Sequence, residues 1–277
     1  MFSAAVQPSI VSLFSSTGSS PLDLFSTHTD VSLPSDSFIC LMKDSTSQPA
    51  PPPPASLISL AHGTDEDKTV APDYALDQTV LHIQSPTLKT TYIRCPPAGW
   101  TGTGRAAHGR NGDLGMQHPW IHLQVRTLGR EWSFEVGIVD QSGREGIVRC
   151  STFQKDPHLK LSSPPLLHLP LAFPPPSSHP LTSWSTISLN LPSLLPHFSS
   201  ASLTNARDEN ERNTDSHLSH TRDDPASNRS RVPVPSGTYS HVSYVKVYAT
   251  CRLRRVWFSE GGPRQQVPWE FELYAVD

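Results

Sequence analysis

The chain has 277 residues, 28 of them proline, a formal net charge of −3, and 36% hydrophobic against 17% charged residues. That balance excludes the strongly basic charge of a general nucleic-acid binder or a membrane-surface protein. No run of about eighteen apolar residues is present to span a bilayer as a helix.

The N-terminal stretch, MFSAAVQPSIVSLFSSTG, has no positive region ahead of its apolar part, and Gln7 and Pro8 interrupt it. No signal peptide is expected, and the protein is expected to be soluble and intracellular. Residues 2–25 form the first ordered block, with Ile10, Leu13, Phe14, Leu22, Leu24 and Phe25 flanking a Gly-Ser-Ser-Pro turn. Strands are predicted at 79–83 and 89–95, joined by a Gln-Ser-Pro turn. At 119–127, Ile121, Leu123 and Val125 alternate with His122, Gln124 and Arg126, the period of a half-buried strand. Block 131–140 puts Trp132, Phe134, Val136 and Ile138 on one face, and Asp140-Gln-Ser-Gly143 turns the chain back into 145–153. Ile187, Leu189 and Leu191 mark a further strand.

The last forty residues read as three strands. Val245, Val247 and Ala249 alternate with Tyr244, Lys246 and Tyr248, and Cys251 and Leu253 then oppose Arg252 and Arg254. The frame slips before Val256 and Phe258, which predicts a β-bulge at Arg254-Arg255 that turns charge outward. Trp269, Phe271, Leu273 and Ala275 suggest a closing strand. Between the ordered blocks lie four low-complexity stretches at about 43–73, 96–113, 156–183 and 199–236, rich in Pro, Gly, Ser or mixed charge. They are read as long disordered loop insertions, because they offer little apolar surface to offset the entropy of ordering. Looping them out leaves one domain over 1–277, an all-β, jelly-roll-like β-sandwich.

Several blocks carry a family resemblance. The Gly18–Leu22 turn after an opening Met-Phe, TTYIRCP at 90–96, LGREWSFEVGIVDQSGREGIVRCSTFQ at 128–154 and CRLRRVWFS at 251–259 followed by PWEFELY at 268–274 resemble the cilia- and flagella-associated protein 20 family. The resemblance covers about half of the chain; the stretch around Cys40 and the segment after Lys155 depart from it. It implies a β-sandwich without catalytic activity, a structural part of the axoneme and basal body. Its implied place is the inner junction of doublet microtubules, with tubulin and neighbouring axonemal proteins as partners. Two other readings stand beside it: a nuclear or RNA-processing adaptor, as some family members are, and a carbohydrate-binding module. The latter needs aromatics aligned on one sheet, for which Tyr244 and Tyr248 are the candidate pair.

No catalytic, cofactor or metal site is expected. The chain lacks H-E-x-x-H, G-x-S-x-G and Walker patterns, and its thirteen histidines have no ligand spacing. Cys40, Cys95, Cys150 and Cys251 are too dispersed for a zinc or disulfide framework and are expected as reduced, mostly buried thiols. Arg252, Arg254, Arg255 and Trp257 are the candidate protein-binding surface, since guanidinium and indole groups concentrate interface energy. The competing reading pairs those arginines with Glu260, Glu270 and Glu272 and packs Trp257 beneath a loop. As a surface cluster, Arg254 and Arg255 are expected to change stability by no more than about 1 kcal/mol when reversed in charge.

Overall fold

The alternating apolar residues of the sequence become the shared interior of two packed sheets. The computed structural model describes residues 1–2, 6–49, 78–100, 112–173, 183–204 and 233–273. Thirteen strands appear among them. The first sheet holds β1 (Ile10–Ser15), β3 (Phe38–Lys43), β4 (Thr79–Gln84), β6 (Trp120–Thr127), β11 (Ser185–Asn190) and β13 (Cys251–Ser259). The second holds β2 (Ser26–His28), β5 (Tyr92–Cys95), β7 (Ser133–Asp140), β8 (Glu145–Ser151), β9 (His158–Lys160), β10 (Leu166–Pro170) and β12 (Tyr239–Tyr248).

Their orders are β11-β6-β13-β4-β3, with β1 also on β13, and β2-β5-β12-β7-β8-β10-β9. Successive strands β4, β5, β6 and β7 alternate between sheets, so each connection wraps the core edge. Phe14, Leu81, Ile83, Ile121, Leu123, Val256 and Phe258 from one sheet bury against Ile93, Phe134, Val136, Val148, Val245 and Val247 from the other. Each lies two positions from the next along its strand, so the period-two pattern is the core itself. The all-β sandwich expected from the sequence is the fold observed.

Two local expectations are corrected, and β3 is a strand that the alternation did not announce. Stretch 156–183 was expected to be a disordered insertion, yet β9 and β10 lie within it, β10 parallel to β8 and antiparallel to β9. Leu159 and Leu167 bury in the core and outweigh the proline composition, while Pro164-Pro165 falls in the turn between the strands. β3 carries apolar residues on both faces, Phe-Ile-Cys-Leu-Met, and so offers no alternation to read. Of the closing strand expected at 269–275, the described part to residue 273 holds no strand: Trp269–Phe271 forms a single 3-10 turn. β13 already has β6 on one side and β4 and β1 on the other, so no free edge remains for another strand.

Parts of the other insertions are ordered too. The turn after β3 closes through Lys43 N–H on the Gln48 carbonyl at 2.8 Å, and Ala201–Thr204 makes one helical turn. The remaining insertion sequence, 50–73, 101–111, 174–182 and 205–232, falls outside the described residues. Among the described residues no helix is long and apolar enough to cross a membrane.

All four cysteines are free thiols, three of them buried. Burial pushes the Cys95 and Cys150 thiols up to about 12 and raises that of Cys251 further in the same direction. In the folded chain a maleimide reagent at neutral pH is expected to label half-buried Cys40 first. The other three should follow only at the rate of global opening, read by peptide mass spectrometry; rapid labelling of all four would contradict this packing.

Candidate functional site

Two outward faces of the sandwich carry charge and aromatic rings together. On the first sheet the central strand β13 directs Leu253, Val256 and Phe258 inward, and a register shift between Leu253 and Arg255 leaves Arg254 as the extra residue. The bulge predicted from the sequence is therefore present. Its backbone is held by Ser16 N–H, which donates to the Arg254 carbonyl at 2.9 Å.

The four residues picked out on β13 come together, but not as an open surface. Arg252, Arg254, Arg255 and Trp257 are 7%, 4%, 9% and 3% exposed. Arg252 donates to the Asp44 carboxylate at 2.6 Å and to its carbonyl at 2.7 Å. Arg126 on β6 reaches the same carboxylate at 3.2 Å, and the Trp184 indole N–H donates to it at 2.9 Å. Arg254 donates to the side-chain oxygens of Gln78 and Gln124 at 3.0 and 2.9 Å. It also donates to the main-chain carbonyls of Glu272 and Glu270 at 3.0 and 3.1 Å. The expected partners Glu270 and Glu272 thus contribute backbone oxygens to Arg254, the Glu270 carboxylate acts on Arg255 through its charge, and Glu260 is exposed. Burial, with Arg255 alongside, brings the Arg254 guanidinium down to about 10, so it stays charged at neutral pH.

The turn Trp269–Phe271 is the cover. Phe271 sets its ring 4.7 Å from the Arg255 guanidinium and edge-on to Trp257 at 5.3 Å, while its carbonyl accepts from Gln124. Trp257 stacks on His122 at 4.8 Å, and His122 bridges Ser188 and Ser259 at 2.7 and 2.8 Å. That Ser–His contact has hydrogen-bond length but no route for a substrate, because Ser259 is fully buried beside Trp120 and Gly262. Burial lowers the His122 imidazole to about 4, leaving it neutral.

On the outer face of the second sheet the sequence singled out only Tyr244 and Tyr248, as the candidate pair for a glycan, and none of its charged residues. Register aligns Ser26, Arg94, Lys246, Glu135, Arg149 and His168 in one row across strands β2, β5, β12, β7, β8 and β10. Glu135 accepts from Arg149 Nε at 2.7 Å and pairs again through Nη2. Arg94 and Lys246 instead sit on rings: the Arg94 guanidinium lies 4.6 Å from the Tyr244 centroid, and Lys246 Nζ lies 3.6 Å from Tyr92 and 4.4 Å from Tyr248. Tyr244 lies flat on β7 because its neighbour there is Gly137, where a Cβ would meet the ring at 2.6 Å. The lone signal in the sequence was the alternation Tyr-Lys-Tyr, and it gives no hint of the cross-strand partners.

Tyr244 and Tyr248 are therefore a pair on one sheet, as the glycan reading requires, but they are buried rather than surface-exposed, and cations take their ring faces. Among the described residues no group of three or more His, Cys, Asp or Glu is placed to hold a metal ion.

Residues 60–204, just over half of the chain, match the family model of the CFA20 domain. The chain belongs to the CFA20-domain family. It is also 24% identical over 203 residues to cilia- and flagella-associated protein 20 of Chlamydomonas reinhardtii, an overlap of 73% of this chain and 77% of that protein. The CFA20 match contains Arg94, Glu135 and Arg149 of the row, whereas Lys246 and the β13 cluster lie beyond it.

Four variants test this geometry. Replacing Asp44 with Ala leaves Arg252 buried without its carboxylate and is expected to cost about 3–5 kcal/mol in urea unfolding. Glu272→Gln, which keeps the carbonyl that Arg254 uses, should cost no more than about 0.5 kcal/mol. The charge reversal Arg254→Glu with Arg255→Glu is expected to destabilise the fold by more than the 1 kcal/mol or so of a surface site. For His122 the folded value lies below the ordinary 6.5, so the unfolded chain binds more protons between pH 6.5 and about 4. Stability is then complete above pH 6.5 and falls as pH drops through that window, and His122→Gln should flatten the fall. His82, also lowered mainly by burial, accounts for a residual slope.

Proposed function

We propose that this protein is a non-enzymatic structural component of cilia and flagella. It binds the doublet microtubules of the axoneme, at the inner junction and at basal bodies, together with neighbouring axonemal proteins. The observation that carries this reading is the similarity to a protein named for cilia and flagella, extending over roughly three-quarters of both chains within one domain family. A rigid two-sheet body with charge on its outer faces suits docking, and the role asked of it is to hold lattice elements together. Arg252, Arg254, Arg255 and Trp257 serve the docking by fixing the C-terminal turn as ordered outer surface, rather than by touching the partner themselves.

Sedimentation of the full chain with assembled microtubules tests the proposal. At low salt the folded protein is expected to pellet with the polymer, and to be released as salt rises and screens the contacts. Folded protein that stays in the supernatant at low salt would contradict the reading.

A further inference from the structure

The outer row of the second sheet carries more positive charge than it neutralises. Arg94, Lys246 and Arg149 share one carboxylate, Glu135, and that carboxylate is taken by Arg149. Among the described residues Arg94 and Lys246 sit on ring faces and make no direct ion pair with a carboxylate, and Glu135 acts on Lys246 only through its charge. Ring faces hold a cation but do not neutralise it, and each cation remains half-exposed. Charge is felt within the row: burial lowers the Lys246 amine, Glu135 opposes that as the largest charge effect, and Arg94 and Arg149 lower it further.

We propose that this row is a docking face for an extended acidic peptide, a run of Glu or Asp lying across the strands. Spacing supports a peptide strand. Adjacent strands lie about 4.8 Å apart, so Arg94 and Arg149, three strands apart, are separated by roughly 14 Å. Side chains four residues apart on an extended chain project to one side at about the same separation. Carboxylates at i and i+4 can reach the two ends of the row while the one at i+2 meets Lys246 nearer its middle. A sugar or a nucleobase would need open ring faces to stack on, whereas Tyr244 and Tyr248 are buried and cations lie over the rings of Tyr92, Tyr244 and Tyr248. The surface thus favours a carboxylate-rich chain over an RNA or a glycan.

The site deepens the docking role above and rests on it only for the identity of the partner. The experiment uses the full chain and fluorescein-labelled octaglutamate, followed by anisotropy at low and raised salt. The unaltered protein is expected to bind the peptide and to lose it as salt rises. Arg94→Glu with Lys246→Glu should weaken binding by about tenfold or more, whereas Arg264→Glu, an exposed cation by the first sheet, should bind like the unaltered chain. Arg94→Gln with Lys246→Gln removes the charge without adding repulsion and guards against a misfolded double reversal; the same loss, smaller in size, is expected with an unchanged thermal midpoint. Octaglutamate that fails to bind, or binds all four proteins equally, overturns the proposal. So does an oligouridylate of equal charge that binds the unaltered chain more tightly than the peptide. Peptide binding without microtubule pelleting would remove the axonemal reading and leave the face. Pelleting without peptide binding would do the reverse.

Discussion

Asp44 holds a carboxylate with no exposed surface, and two guanidiniums and an indole N–H converge on it. A central strand that carries three arginines within four residues can be accommodated in a sandwich only if each is given acceptors, a ring face or a compensating charge. Arg252 takes Asp44, contributed by the turn after β3; Arg254 takes Gln78, Gln124 and the carbonyls of the C-terminal turn. Arg255 is roofed by Phe271. The chain's N-terminal third, its middle and its end are thereby tied to the outside of one strand.

This constraint explains why the C-terminal segment does not form a strand. It crosses β13 and offers carbonyl oxygens to the arginine, and a ring to Arg255 and Trp257. CRLRRVWFS and PWEFEL are two halves of one packing unit, and their near adjacency in sequence reflects a short return over the strand that needs covering. With those cations committed internally, the row of cations on the opposite sheet, where Arg94 and Lys246 rest on tyrosines, is the one left half-exposed among the described strands.

The fold was legible because core residues repeat every second position. Trp132, Phe134, Val136 and Ile138 are all buried, as their spacing indicates. The bulge at Arg254 was legible for the same reason, since a broken alternation next to charge has few other causes. What the chain hides is long-range. Asp44 sits in a stretch whose prolines and serines read as insertion, and nothing near it in sequence announces the partner on β13, 208 residues away. The row from Ser26 to His168 draws one residue from each of six strands, so no local window contains it. Composition misled at β9 and β10, where two buried leucines outweigh the prolines.

Arginine-selective labelling of the native chain with a glyoxal reagent, followed residue by residue by mass spectrometry, tests the division between the two faces most directly. Internal commitment of β13 predicts that Arg94 and Arg264 are modified promptly, while Arg252, Arg254 and Arg255 react only once the chain is unfolded. Native-state modification of those three at the rate of Arg264 would contradict it.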